Sequence, residues 1–402
     1  MRNVPKLRFK EFTDEWEKIK LKEILEFKNG INASKEQYGK GTKFINVLDI
    51  LNNDFITYDN IIGKVDIDEK TLDKYSVNYG DILFQRSSET REEVGMANVY
   101  LDDKTATFGG FVIRGKKIAN YVPTFINKVL KTDLARNEIT SKSGGSTRYN
   151  VGQDILNEVQ IIIPTIKEQE KIADFLLNVD KKISITEEKL NLFNEYKKGI
   201  MQKIFNQELR FKDANGNDYP EWKEKKLGDI FTEISERNPE DNSELLSVSI
   251  NNGVQKRTEI DAKDNSSEDK SKYKKVEKYD IVYNTMRMWQ GAVGVSHYKG
   301  IASPAYTVIR LKENNNIKYF EYLFKTNYMI YLFKKFSQGL TSDTWNLKFD
   351  KFKEIEIKTP YIDEQQKIAD FLSAIDTKIE KISDELENLK EFKKGLLQQM
   401  FV

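Results

Sequence analysis

Two stretches in each half of the 402-residue chain gather side chains able to read nucleic acid. The first is Gln85, Arg86, Ser87, Ser88 and Arg91, matched further along by Asn284, Thr285, Arg287, Trp289 and Gln290. The second is Lys142, Ser146, Thr147, Arg148 and Tyr149, matched by Thr341, Ser342, Thr344 and Trp345. Amide and guanidinium groups make bidentate hydrogen bonds to base edges, hydroxyls bond to several bases, and cations bind phosphate. Simple solvation of a polar loop is the competing reading at each position, because sequence does not orient a loop side chain. Gly144 and Gly145 equally suit a turn. The run 270–278 (KSKYKKVEK), with Lys256 and Arg257, reads as a solvated loop in preference to a phosphate-binding face.

Other chemistry is largely excluded. Without cysteine there is no disulfide, thiolate nucleophile or cysteine-ligated zinc, and one histidine, His297, removes most imidazole-based metal and triad sites. His297 reads as structural or exposed. No glycine-rich cofactor loop, Asn-Pro-Pro-aromatic tetrapeptide, phosphate loop or H-E-x-x-H motif occurs. No catalytic and no metal-binding residue is therefore assigned. The 65 Lys plus Arg nearly cancel the 64 Asp plus Glu, so an anionic partner must be met by local patches. The spans 168–206 and 363–401 together carry three net negative charges, leaving about four net positive elsewhere. Residues 1–12 lack an apolar leader core and no stretch reaches ~18 apolar residues, so a cytoplasmic protein without membrane contact is expected.

The elements that must position these residues come from a duplication. Residues 168–183 (EQEKIADFLLNVDKKI) and 364–379 (EQQKIADFLSAIDTKI) agree at 11 of 16 positions at an offset of 196. The same offset carries 190–205 onto 386–401. Pro164 and Pro360 precede the two copies, each after a strand-like alternation: Val159, Ile161 and Ile163, then Ile355 and Ile357. The start also repeats, since Leu7 to Lys10 (LRFK) recurs at Leu209 to Lys212 and Trp16, Leu21 and Ile24 recur as Trp222, Leu227 and Ile230. Within the globular halves Asp81 aligns with Asp280, Gly95 with Gly294, and Tyr149 and Asn150 with Trp345 and Asn346. Shared positions are expected to be scaffold or phosphate contacts, and differing ones, such as Gln85 and Arg86 against Asn284 and Arg287, to do the reading.

Both forty-residue copies carry heptad seams. Ile172, Leu176, Val179, Ile183, Thr186, Leu190, Phe193, Lys197, Ile200 and Ile204 follow a 4, 3 spacing. Ile368, Leu372, Ile375, Ile379, Ile382, Leu386, Leu389, Lys393, Leu396 and Met400 repeat it. Each seam needs a partner helix, and connectivity favours antiparallel pairing of the two copies, with the chain ends adjacent. Lys197 and Lys393, the charged seam residues, either snorkel to carboxylates or meet acids on a docked protein.

These motifs, P-x-x-x-E-Q-x-K-I-A-x-F-L at Pro164 to Leu176 and Pro360 to Leu372 above all, resemble the specificity subunits of type I restriction-modification enzymes over essentially the whole chain. The resemblance implies an α/β (α+β) fold in a pseudo-twofold circular arrangement. Target recognition domains at 1–163 and 207–359 would be separated by the conserved helices 164–206 and 360–402, paired as an antiparallel intramolecular coiled coil. It implies that each recognition domain binds half of a bipartite, asymmetric sequence in double-stranded DNA. The helices would set the spacer and dock two methyltransferase subunits, and restriction/translocase subunits would join the full complex. The chain itself would be non-catalytic and bind no cofactor: S-adenosylmethionine would belong to the methyltransferase subunits, ATP and Mg to the restriction subunits. The alternative is a coiled-coil scaffold protein with two globular binding modules.

The antiparallel seam has a direct test. Ile172→Cys with Met400→Cys, in a chain otherwise free of cysteine, is expected to crosslink intramolecularly on non-reducing gels. Exclusive crosslinking of Ile172→Cys to Ile368→Cys would contradict the pairing.

Overall fold

The computed structural model describes residues 3–145, 147–237, 243–261, 266 and 269–402. Its contacts divide the chain into two compact units, Met1–Glu187 with Asp384–Val402, and Glu188–Ser383. Each unit therefore takes part of each long helix, Ile166–Phe205 and Ile362–Gln399.

In the first unit an antiparallel sheet runs in the order Leu25–Asn29, Val112–Lys117, Ile82–Gln85, Ala97–Val99. In the second the corresponding order is Phe231–Ile234, Tyr306–Leu311, Ile281–Asn284, Val293–Val295. Central strands of Val, Ile and Phe suit such a sheet because both faces are covered: Ile82 and Phe84 join the main core, Leu83 a second cluster. A helix pair follows in both units, Pro123–Val129 then Asp133–Lys142, and Ile317–Leu323 then Asn327–Phe336. The second helix of each pair starts alike. The hydroxyls of Thr132 and Thr326 accept from Ala135 N and Met329 N and donate to Val129 O and Leu323 O.

The repeated motifs meet at the start of each long helix. Arg8 of the first LRFK segment holds Glu168 through Nε and Nη2 at 2.7 and 2.8 Å, and Glu168 is 1% exposed. Arg210 of the second holds Glu364 at 3.1 and 2.7 Å, with Trp222 Nε1 donating to the same carboxylate at 3.1 Å. The carboxylate partner raises the pKa of both arginines against the opposing effect of burial. The neighbouring glutamines tie the helix start to the domain. Gln169 donates to Pro164 O and accepts from Val122 N; Gln365 donates to Pro360 O and accepts from Asn316 N. The strands that precede the prolines, Gln160–Ile163 and Glu356–Thr359, pair antiparallel with Glu17–Lys20 and Lys223–Lys226.

The long helices pack antiparallel within each unit. Ile172, Leu176 and Val179 share the first unit's core with Leu396, Met400 and Phe401, where Trp16 and Phe125 also lie. In the second unit Ile204 shares a core with Ile368, Leu372 and Ile375. Segments near both ends of the chain thus meet in one unit, where Leu7 N donates to Gln399 O at 2.9 Å; Met1 lies outside the described residues. Both seam lysines snorkel. Lys393 Nζ lies 2.6 Å from Asp180, which Lys128 also pairs at 2.8 Å, and Lys197 pairs with Asp376, to which Tyr322 donates at 2.6 Å. Burial pushes the Asp180 carboxyl up, but hydrogen bonds from Lys128 and Lys393 outweigh it and hold the pKa below the usual range.

Removing one partner of a buried bidentate pair strands the other charge, at about 3–5 kcal/mol. Arg210→Ala is accordingly expected to lower the chemical-denaturation midpoint strongly, and Glu364→Ala less, because Arg210 is partly exposed and keeps Tyr219 O and Pro220 O as acceptors. Replacing both by residues of similar apolar volume should recover much of the loss.

Candidate nucleic-acid interface

The two polar stretches come together in each unit because one is a strand extension and the other a hairpin that pairs with it. In the first unit Ser87–Ser88 continues from Ile82–Gln85 and pairs antiparallel with Tyr149–Asn150. The hairpin closes on itself through Gly144 N to Asn150 O at 3.1 Å and Asn150 N to Gly144 O at 2.8 Å, and Val151 N donates to Arg86 O at 2.9 Å. In the second unit Gln338 and Asn346 exchange two bonds of 2.8 Å, and Leu347 N donates to Thr285 O at 2.8 Å. Asn150 and Asn346 both turn their side-chain amide onto the carbonyl two residues back, which holds the hairpin tip.

This shared frame realigns some of the sequence pairings. Gln85 N donates to Met96 O and Asn284 N to Ala292 O, so Gly95 corresponds to Gly291 rather than to Gly294, and Arg86 to Thr285 rather than to Arg287. Gly95 and Gly291 both need glycine. Their φ values are 67° and 88°, and a Cβ would lie 2.5 Å from Ile139 and 2.9 Å from Ile330 of the adjoining helices. Asp81 and Asp280 are buried turn-formers that accept from Asn78 N and Glu277 N; burial pushes the Asp81 carboxyl up despite those bonds. They are scaffold.

Among the first unit's candidates, two turn inward. Gln85 is 5% exposed and donates to Ser87 O, and Ser88 is 7% exposed and donates to Glu93. Both side chains are thus turned away from solvent. Arg91 donates to Thr140 O and Ser141 O at the end of helix Asp133–Lys142, where a cation suits the helix dipole. Lys142 is paired with Glu138 at 2.5 Å. Tyr149 packs partly against the core. Arg86, whose guanidinium bonds Gly110 O at 3.3 Å, remains outward with Thr147 and Arg148, whose guanidinium stands 4.0 Å from Glu89, and Ser87 is half-buried beside them. Ser146 lies outside the described residues. An open groove of about 670 Å³ beside them is lined by Asn29, Arg86, Gly144, Asn150 and Asp154. Asn29 and Asp154 went unmarked in the sequence, as did Phe111, 65% exposed, whose carbonyl accepts from Arg86 N. Nothing local in the sequence signals them, since a strand end, a turn and a short helix bring them together.

In the second unit Asn284 accepts from Met286 N and Thr285 donates to Ala305 O, so both are engaged in shaping the turn. Arg287 is exposed, and its guanidinium has no partner among the described residues. Trp289 and Trp345 meet edge to face at 5.2 Å, and Gln290 is half-buried beside them. Thr341, Ser342 and Thr344 are exposed, with Thr344 Oγ1 donating to Thr341 O. Exposed Met286 and Leu340, and Lys334 over the Trp345 ring at 5.2 Å, were not foreseen.

Residues 13–194 and 219–391 match the family described as "Type I restriction modification DNA specificity domain". The type I restriction enzyme MjaIX specificity subunit of Methanocaldococcus jannaschii is 26% identical over 231 residues, 54% of this chain and 52% of that protein. The chain spans about half the length of the curated relatives it matches. Over nearly the whole length its fold is similar to that of the type I S subunit from M. genitalium, with a TM-score of 0.55, 17% identity and 99% of each chain covered. The HsdS subunit from Thermoanaerobacter tengcongensis gives a TM-score of 0.52 at 15% identity, covering 96% of each chain.

The difference between inward and outward residues is measurable. Gln85→Ala is expected to lower thermal stability with little sequence-dependent effect on duplex binding. Arg148→Ala should leave the melt unchanged, weaken duplex binding and reduce the salt slope of log K by up to about one.

Proposed function

We propose a function for this chain from its family: it belongs to the specificity subunits of type I restriction-modification systems. In this reading it is the DNA-reading, non-catalytic subunit of a complex that methylates and cuts DNA. Segments 1–163 and 207–359 are its target recognition domains, each binding half of a bipartite, asymmetric duplex sequence. The helices at 164–206 and 360–402 set the gap between the half-sites and dock two methyltransferase subunits, with restriction/translocase subunits joining the full assembly. S-adenosylmethionine then belongs to the methyltransferase subunits and ATP with Mg to the restriction subunits. The setting is the cytoplasm; among the described residues no helix is long and apolar enough to cross a membrane.

One observation carries this reading. The same hairpin-on-strand frame is built in both units with shared scaffold residues, Asp81 and Asp280, Gly95 and Gly291, Asn150 and Asn346, while the outward side chains differ. Two readers of different sequences need that division, because a residue common to both cannot tell their half-sites apart. Arg86 and Arg148 on one frame, and Arg287 with Thr341 and Ser342 on the other, are the residues we assign to base or phosphate contact.

Methylome sequencing of cells carrying the chain with its partners tests the assignment: methylation at one two-part motif is expected, and its absence would refute it. The spacer role has its own test. Inserting one heptad in each long helix adds about 10 Å to its length and keeps the seam in register. The gap is expected to grow by about three base pairs at ~3.4 Å each, with both half-sites unchanged. Rotation of about 34° per added pair, from ~10.5 pairs per turn, will cost affinity. Retained activity with an unaltered gap would mean the helices only connect the domains, and altered half-site bases that they form part of the reading surface.

A further inference from the structure

Four tryptophans occur in the chain, and two of them, Trp16 and Trp222, are core residues at 2% and 8% exposure. The other two sit half-buried in the second unit's candidate site. Trp289 lies in the turn that follows strand Ile281–Asn284, and Trp345 in the hairpin, with ring centroids 5.2 Å apart and planes at 80°. The indole N–H of Trp289 is already spent on Met286 O at 3.0 Å, so what it offers a ligand is carbon. The indole N–H of Trp345 has no acceptor among the described residues, so it remains a donor. Lys334 stands over the Trp345 ring at 5.2 Å, and the two rings are edge to face. That geometry leaves no parallel open faces for a base to slide between, which argues against intercalation and for contact with base edges. The guanidinium of Arg287, unpaired among the described residues, and the cation of Lys334 supply attraction to phosphate at the same place.

We propose that Trp289 and Trp345 form a thymine-reading pair confined to the half-site bound by this unit, an inference that rests on the DNA-reading function above. In the major groove thymine presents an O4 acceptor beside a 5-methyl group, whereas cytosine presents an amino donor and no methyl. A free N–H next to a carbon surface is the complement of the first and a poor match for the second. The first unit has no counterpart. Its frame places Tyr149 where Trp345 stands, and its strand-to-glycine turn has no residue matched to Trp289: Met96 N donates to Glu93 O where Ala292 N donates to Arg287 O, and the Glu93 carboxylate accepts from Ser88 Oγ at 3.1 Å.

The test uses the full chain assembled with its methyltransferase subunits and the duplex that methylome sequencing identifies. Each thymine is replaced in turn by deoxyuridine, which deletes only the 5-methyl group. In one half-site at least one replacement is expected to weaken binding about fourfold, the value of one buried methyl at ~0.8 kcal/mol. Trp289→Ala should abolish that sensitivity, whereas Arg148→Ala in the other unit should leave it intact. Trp345→Phe should keep the methyl effect yet reduce the preference for thymine over cytosine at the same position. The deoxyuridine scan needs no variant, and a thermal melt of each variant separates lost folding from lost reading. The proposal is overturned by a methyl effect that is absent everywhere, or that is insensitive to Trp289→Ala in a folded variant, while the intact assembly still selects its target. An assembly that selects no duplex overturns the DNA-reading function and this proposal with it.

Discussion

The pairing of a surface-segment arginine with a buried glutamate at each long-helix start, Arg8 with Glu168 and Arg210 with Glu364, is the constraint on which the architecture depends. Each glutamate is 1% exposed or less and would not be tolerated there without its arginine. The pair joins parts far apart in sequence: a segment before the first strand of a unit and the helix that leaves the same unit. With the adjacent glutamine gripping the turn at the proline and the backbone ahead of the next helix pair, it fixes where the helix starts relative to the sheet. The hairpin and strand extension carrying the outward polar residues are then set by the helix pair, against which Gly95 and Gly291 pack.

The coil adds a second kind of specification. Apolar seams alone would permit several registers, because one leucine layer resembles the next. Lys393 opposite Asp180 and Lys197 opposite Asp376 remove that freedom, since a slipped or parallel arrangement leaves partly buried charges unmatched. Peripheral pairs such as Lys182 with Glu385 and Lys390 with Glu187 are exposed and contribute little by comparison.

Much of this was legible because duplication writes every structural requirement twice. The EQ motif, the LRFK segment, the heptads and the prolines stood out, and each has a contact that explains its repetition. What repetition could not show was side-chain direction. Gln85 and Ser88 look like reading residues in sequence, yet the pairing of Ser87–Ser88 with Tyr149–Asn150 puts both inside. Asn29 from strand Leu25–Asn29, Phe111 from the turn before Val112–Lys117 and Asp154 from helix Gln153–Asn157 reach the same groove or its edge. The alignment of Gly95 with Gly294 failed because the turn between strand and glycine is shorter in the second unit, so offset counting slipped where hydrogen bonds do not. The seam lysines left two readings open, and the choice needed the partner helix in place.

The division of the chain between its units also bears on how the protein is made. Glu188–Ser383 is continuous in sequence, so it can complete its core as soon as the ribosome has released it. The other unit is not continuous: its core contains Leu396, Met400 and Phe401 from the segment Asp384–Val402. Until that segment emerges, Trp16, Phe125, Ile172 and Leu176 lack the apolar partners that cover them. The unit begun first during synthesis is therefore the one finished last, and through that interval it exposes the kind of surface that chaperones hold.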